Sequence, residues 1–216
     1  KAVKRPTTGI ILAAGKSTRM ITDLPKVLHE VCGRPMLAFV IDACREAGIE
    51  DLYIVIGYGK DQVMEQFKDV PRITWVEQTE QKGTGHAVMC CEPFLGDFDG
   101  NCVVLCGDGP LIRAETLKEL LTKHNQERSY ATLATAVLDD PSGYGRIARD
   151  VYGNLQGIVE HADCSPEQRR IREVNPSYYC FDYKTLSAAL REIKPDNAKK
   201  EYYLTDALAG IIQSGK

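Results

Sequence analysis

Four apolar runs, each followed by a stretch with helical spacing, constrain this chain more than any other feature. They are "TGIILAA" (8–14), "DLYIVIGYG" (51–59), "RITWVEQ" (72–78) and "NCVVLCGDGP" (101–110). In the first, second and fourth the apolar part is largely continuous rather than alternating, which predicts strands buried on both faces, as in a parallel sheet, and the third reads as a further strand. The segments between and after them are "MLAFVIDACREAG", "KDQVMEQFK", "GTGHAVMCCEPF" and "AETLKELLTKHNQ". Each places apolar residues on one helical face. Strand and helix therefore alternate through residue 125. That predicts an α/β fold with a Rossmann-like open sheet, mixed but mostly parallel, flanked by helices.

The pattern then changes. "YATLATAVL" is a long β-rich run, and "YGRIARDVYGNLQGIVEH" reads as two strands turning near Tyr152-Gly153-Asn154. "PSYYCFDY" reads as a further strand, and "TLSAALREI" and "LTDALAGIIQSG" as helices. We expect one domain over residues 1–216, with residues 1–125 as its α/β part and 126–216 as a smaller β-rich part.

A net charge of −3 argues against a sequence-independent nucleic-acid binder, so an anionic ligand must be met by local positive groups. No apolar run approaches the roughly 18 residues of a membrane span. The opening "KAVKRPTT" leads straight into a strand without an apolar leader, so no signal peptide is expected. The eight cysteines show no Cys-x-x-Cys or zinc spacing. They are expected to be free buried thiols of a cytoplasmic protein.

Two features carry chemistry. "LAAGKSTRM" follows the first strand but misses P-loop spacing by one, because five residues separate Gly9 from Gly15. Small residues at Ala13, Ala14 and Gly15 let a ligand approach the backbone, whose N–H groups can cradle an anion. Arg19 and Lys26 add positive charge, and Pro25 restricts the backbone just before Lys26. Together they suit a triphosphate, although an ordinary strand-to-helix turn with solvated basic residues has the same look. Asp108, between two glycines at the end of a buried strand, suits Mg2+, or merely a turn.

These blocks resemble a family. "LAAGKSTRM" followed by "DLPKVL" is similar to the signature of the sugar-1-phosphate nucleotidyltransferases. "EQTEQKGTGHA", "GDGPLI", "DDPSGYGRI", "GIVEH", "EVNPSYY" and "EYYLTDAL" follow in the order of the bacterial N-acetylglucosamine-1-phosphate uridylyltransferases. The resemblance covers residues 9 to 213. It implies the nucleotide-diphospho-sugar transferase type of fold, with a nucleotide-binding part before residue 126 and a sugar-binding part after it. It also implies a transfer of uridylyl from UTP to a sugar-1-phosphate with Mg2+. Leu12, Ala13, Ala14 and Gly15 match positions that hold the nucleotide, and Arg19 and Lys26 match the phosphate-binding pair. Gln78, Gln81, Gly83 and Thr84 match the block that reads uracil, and Asp108 matches the metal ligand. Gly145, Glu160, Asn175, Tyr203 and Thr205 match sugar-pocket positions.

The chain departs from the pattern in three places. Cys106 stands where the family has an aromatic residue, usually Tyr. Pro176-Ser177 replaces a usual Thr-Gly. The family's second metal ligand, an Asn well beyond the EYY-type block, is absent from this sequence, so either the chain is a fragment or the metal site is completed otherwise. The resemblance thus leaves two other readings: transfer of uridylyl or thymidylyl to another sugar-1-phosphate, and a non-catalytic nucleotide-sugar binding domain. The sequence has no hexapeptide repeats, so no β-helix acetyltransferase activity is expected from it. His29, His86, His124 and His161 lack metal-ligand spacing, and His86 and His161 are expected to be structural hydrogen-bonders. Trp75 is expected in the core, "EQRRIRE" on a solvated helix face, and Asp139 and Asp140 in a loop.

Overall fold

The computed structural model describes residues 5–16 and 22–215. Its elements run β1 (Thr7–Ala13), β2 (Glu30–Val31), β3 (Arg34–Pro35), α1 (Met36–Glu46), β4 (Asp51–Ile56), α2 (Lys60–Gln66), β5 (Ile73–Glu77), α3 (Thr84–Met89), α4 (Glu92–Leu95), β6 (Asn101–Cys106) and α5 (Ala114–Glu127). There follow β7 (Ala131–Leu133), β8 (Ala136–Val137), β9 (Gly145–Arg149), β10 (Leu155–Val159), β11 (Glu173–Asn175), β12 (Tyr179–Asp182), α6 (Tyr183–Leu190) and α7 (Leu204–Gln213).

The main sheet has the order β5-β4-β1-β6-β12-β7. Its first four strands are parallel, and β12 runs antiparallel to both β6 and β7. The continuous apolar runs have the expected cause: successive residues face opposite layers and both layers are dry. Ile10, Val55 and Val104 pack with the α3, α6 and α7 side. Their neighbours Ile11, Ile54 and Leu105 pack with α1 and α5. The chain winds outward from β1 to β4 and β5, then returns to β6 on the other side of β1. The carboxyl ends of β1 and β6 thus flank the point where strand order reverses, the place where open α/β sheets bind ligands.

Three expectations need correction. "YATLATAVL" is not one strand: β7 joins the main sheet through β12, and β8 joins a second, antiparallel sheet of order β10-β9-β11-β8. The break at Ala134–Thr135 is the crossing between sheets. "GTGHAVMCCEPF" is two helices, α3 and α4, because a proline at position 93 lacks an N–H and its ring would press on the carbonyl of Met89. "EQRRIRE" forms only a 3-10 turn at Gln168–Arg170 before the chain extends into β11. Trp75 packs against the core as expected but stays half-buried, because β5 is the edge strand. The β9–β10 hairpin forms as expected.

Candidate active site

A cavity of about 540 Å³ opens at the carboxyl ends of β1 and β6. Leu12, Ala13, Ala14 and Gly15 form its floor, and Gln78, Gln81, Gly83 and Thr84 form one wall. Lys26 and Asp108 also line it. Of the residues matched to nucleotide, phosphate and metal positions, all but one meet here. The exception, Arg19, lies outside the described residues.

The wall is built by close backbone approach. Gly83 has φ +107°, and a Cβ there would stand 2.6 Å from the Tyr202 carbonyl oxygen. A Cβ on Gly85 would stand 2.9 Å from the same atom. Two glycines thus let the chain at Tyr202 pass alongside, where Tyr202 N donates to Lys82 O and Gly85 N to Tyr202 O, both at 2.7 Å. Leu204 N donates to Thr84 Oγ1 at 3.0 Å, which ties the start of α7 to the start of α3. Gln81 Nε2 donates to Ala14 O at 2.6 Å, joining wall to floor. Gln78 is buried, and its Nε2 donates to Gly83 O at 3.2 Å and lies 2.9 Å from His86 Nδ1.

Pro25 leads into a 3-10 turn at Lys26–Leu28, closed by Leu28 N donating to Pro25 O at 2.9 Å. That turn brings Lys26 Nζ against Asp108 Oδ2, an ion pair between partly exposed groups. The sequence placed both residues at the site but not in contact. Lys16, Glu201 and Cys106 also line the cavity. Lys16 sits with its Nζ 4.8 Å from the Tyr58 ring centroid. The "GKS" triplet signalled Lys16, whereas the sequence marks Glu201 only as the first residue of the "EYYLTDAL" block, without a role, and it reaches the cavity with the Tyr202 crossing.

Gly145, Glu160, Asn175 and Thr205 form a second group. A Cβ on Gly145 would stand 2.8 Å from Ile158 Cγ2 and 3.6 Å from Glu160 Oε2. Thr205 Oγ1 donates to Glu160 Oε1 at 3.1 Å. Burial lifts the Glu160 carboxyl above its usual range, against the Thr205 hydrogen bond. Asn175 Nδ2 donates to the Tyr179 hydroxyl at 2.5 Å, and Ser177 N donates to Asn175 Oδ1 at 2.9 Å. Tyr203 is buried at the N-terminus of α7, and burial pushes its hydroxyl up to about 12. These five residues stand beside the described cavity wall rather than in it. Cys106 lines the cavity with Asp108 and lies near enough to Ser177 for a hydrogen bond and to Glu160 to feel its charge, so it connects the two groups. Burial, reinforced by the Asp108 charge, pushes its thiol up to about 11, so it stays protonated.

The remaining residues behave structurally. His124 Nδ1 lies 2.9 Å from Thr132 Oγ1, and His161 Nδ1 accepts from Gly143 N at 3.3 Å. Asp139 pairs with Arg172, and Asp140 caps its own loop by accepting from Ser142 N. All eight cysteines are free; five are buried, Cys32 is exposed, and Cys90 and Cys106 are intermediate. Among the described residues no three His, Cys, Asp or Glu side chains gather as a metal cluster. No helix among them is long and apolar enough to cross a membrane.

A family model described as the MobA-like NTP transferase domain matches residues 9–201. The chain belongs to that family. Among curated proteins, the bifunctional protein GlmU of Pelotomaculum thermopropionicum is 48% identical over 206 residues, which is 95% of this chain and 45% of that protein. The bifunctional protein GlmU of Clostridium botulinum (strain 657, type Ba4) is 47% identical over 207 residues, 96% of this chain and 45% of that one. The chain therefore spans about 45% of the length of these relatives. A crystal structure of UDP-glucose pyrophosphorylase complexed with UDP-glucose superposes with a TM-score of 0.79. It covers 96% of this chain and 87% of its own at 20% identity, which shows a shared fold.

Proposed function

We propose that this family member transfers uridylyl from UTP to N-acetylglucosamine-1-phosphate, releasing pyrophosphate and forming UDP-N-acetylglucosamine. One observation carries the reading. A single cavity at the strand-order reversal holds an open backbone floor, a pair of amide side chains and the Lys26–Asp108 pair, with Glu160, Asn175 and Thr205 abutting it through Cys106. The identity to proteins named GlmU supports the choice of nucleotide and sugar.

In this reading the floor from Leu12 to Gly15 holds the nucleotide through its backbone. Gln78, Gln81, Gly83 and Thr84 face the base. Glu160, Asn175, Thr205, Gly145 and Tyr203 hold the sugar, so residues up to 125 supply most of the nucleotide side, joined by Glu201 and the Tyr202 crossing, and the other later residues serve the sugar. A phosphate oxygen of the sugar-1-phosphate attacks the α-phosphorus of UTP. A new P–O bond forms, the α–β bridge breaks, and pyrophosphate leaves with the electron pair. The attacking group is already an anion, so no general base is assigned. The protein's task is alignment and charge neutralisation. Lys26 and Arg19 offset phosphate charge.

The donor set suits Mg2+, a hard cation that is commonly bound through one or two carboxylates together with substrate phosphates. Asp108 presents a partly exposed carboxylate at the cavity, with one oxygen against Lys26. Asp108 would hold the ion, which when bound would reduce repulsion between the two reacting phosphates. The partners proposed are thus UTP and a sugar-1-phosphate, with no nucleic acid and no membrane. We assign the reaction to the cytoplasm, where eight free thiols persist.

A second reading, transfer to a different sugar-1-phosphate or from thymidine triphosphate, is favoured by the wall that Cys106, Pro176 and Ser177 make beside Asn175. Pyrophosphate release, measured with UTP, TTP and CTP against a panel of sugar-1-phosphates, separates the two. Turnover greatest with UTP and N-acetylglucosamine-1-phosphate supports the proposal. Release with no pair would refute catalysis by this chain.

A further inference from the structure

Gln78 is the amide that faces the base in the proposed function, and its orientation is decided by two neighbours. The carbonyl of Gly83 can only accept a hydrogen bond, so the atom 3.2 Å from it must be the amide nitrogen. That same nitrogen lies 2.9 Å from His86 Nδ1. Both amide hydrogens are then in use, and the imidazole must accept at Nδ1, so it is neutral and carries its proton on Nε2. The Gln78 oxygen has no hydrogen-bond partner among the described residues, while the side chain lines the cavity.

We propose that His86 is a positioning residue that locks the Gln78 amide with its oxygen toward the base, and so sets the choice of uracil over cytosine. The inference rests on the uridylyltransferase reading of the same cavity. The N3–H of uracil is a donor that an inward-facing oxygen accepts. Cytosine presents a bare N3 there, and two acceptors face each other. An amide free to rotate would offer its NH2 to cytosine N3 instead, so the lock carries the discrimination.

The lock also depends on protonation. A proton on Nδ1 would oppose the Gln78 NH2, and the flipped amide would set its oxygen against the Gly83 carbonyl. Neither orientation then satisfies all three groups. The ring's surroundings keep it neutral. Burial is the main cause that lowers its proton affinity, the Lys82 charge adds to it, and Glu80 opposes through its charge and a backbone hydrogen bond. The Tyr202 ring covers another side, with centroids 6.5 Å apart. On this account uracil nucleotides bind with constant affinity above the titration of His86, and binding weakens as pH falls through it.

The test is direct binding of UTP and of CTP by calorimetry, from pH 5 to pH 8, to the whole chain and to His86→Phe and His86→Asn. In the unsubstituted protein the UTP-over-CTP preference should be largest at high pH. His86→Phe should reduce that preference by roughly tenfold, the worth of one hydrogen bond made or misplaced. Asn keeps an acceptor, so His86→Asn should retain part of it. The titration of the triphosphate itself is common to all proteins and cancels in their ratio. A nitrogen NMR spectrum of the unsubstituted protein, which needs no variant to fold, should show His86 as the Nε2–H tautomer. Normal UTP binding with an unchanged UTP-over-CTP ratio in His86→Phe, or an Nδ1–H tautomer, would overturn the lock while leaving the proposed function standing. No UTP binding by the unsubstituted protein would overturn both.

Discussion

Lys26 and Asp108 show how single residues acquire a role from placement. Each is ordinary in type, and the turn after Pro25 and the end of β6 bring them into an ion pair at the mouth of the cavity. Lys26→Ala removes a cation from a centre that must hold several phosphate charges. Loss of such a charge-stabilising donor costs roughly 100- to 1,000-fold in turnover. The change should leave stability within about 0.5 kcal/mol, since Lys26 is partly exposed and outside the core. Steady-state kinetics beside a denaturant melt checks both halves, and near-normal turnover would remove Lys26 from the mechanism. Asp108→Asn should raise the Mg2+ concentration needed for half-maximal rate by at least about tenfold, since even outer partners of a metal are worth roughly 10- to 100-fold in affinity. A magnesium titration with an unmoved midpoint would refute Asp108 as the ligand.

At the scale of elements, helix starts and close crossings do the positioning. Asp182 caps α6: its Oδ1 accepts from Thr185 N at 2.9 Å and Thr185 Oγ1 at 2.6 Å, and its Oδ2 accepts from Arg5 at 2.8 Å. Burial pushes the carboxyl up, but these hydrogen bonds and the Arg5 charge outweigh it and hold the acid below its usual range. The stability it contributes is present above the ordinary Asp value near about 3.9 and is lost as pH falls through the lower folded value. Asp182→Asn keeps an oxygen that can cap α6 but loses the charged partner of Arg5, so it should cost about 1 kcal/mol at neutral pH and should shrink the loss of stability on acidification. Urea melts at pH 7 and pH 3 decide it; a variant equally destabilised at both would contradict the linkage. Gly83→Ala tests the other device. It combines a φ of +107° with a Cβ 2.6 Å from a backbone oxygen, so the Tyr202 crossing must move. The expected result is a loss of nucleotide affinity, read by calorimetry, that exceeds the loss of stability.

For the molecule as a whole, the question is how two sheets share one site. The Asn175–Tyr179 hydrogen bond spans them, since Asn175 ends β11 of the small sheet and Tyr179 opens β12 of the main one. Tyr179→Phe leaves the buried Asn175 amide without that partner, a cost of about 1–3 kcal/mol. The sugar-phosphate side should loosen while the nucleotide cavity, built from the main sheet, is untouched. We expect KM for the sugar-1-phosphate to rise several-fold with KM for UTP unchanged. An equal rise in both would mean that the two halves do not act separately.

The inner strands β1, β4 and β6 were legible because they are buried on both faces, and a short continuous apolar run that ends in a glycine turn fits a strand of that kind, whereas β7 and β12, expected in the smaller β-rich part, join the main sheet instead. The floor at Ala13–Gly15 and Asp108 was legible for a related reason: both follow directly from where such a strand ends. "YATLATAVL" was not legible as two strands, since β propensity says nothing about which sheet a residue joins. That choice belongs to partners β12 and β11, more than thirty residues away. The contact of Lys26 with Asp108, the passage of Tyr202 beside Gly83 and the orientation of Gln78 by His86 are likewise products of folding. Local sequence sets strand and helix through short-range sterics and the periodicity of burial. Which side chains then meet is decided by long-range packing, because the groups that meet here share no local pattern.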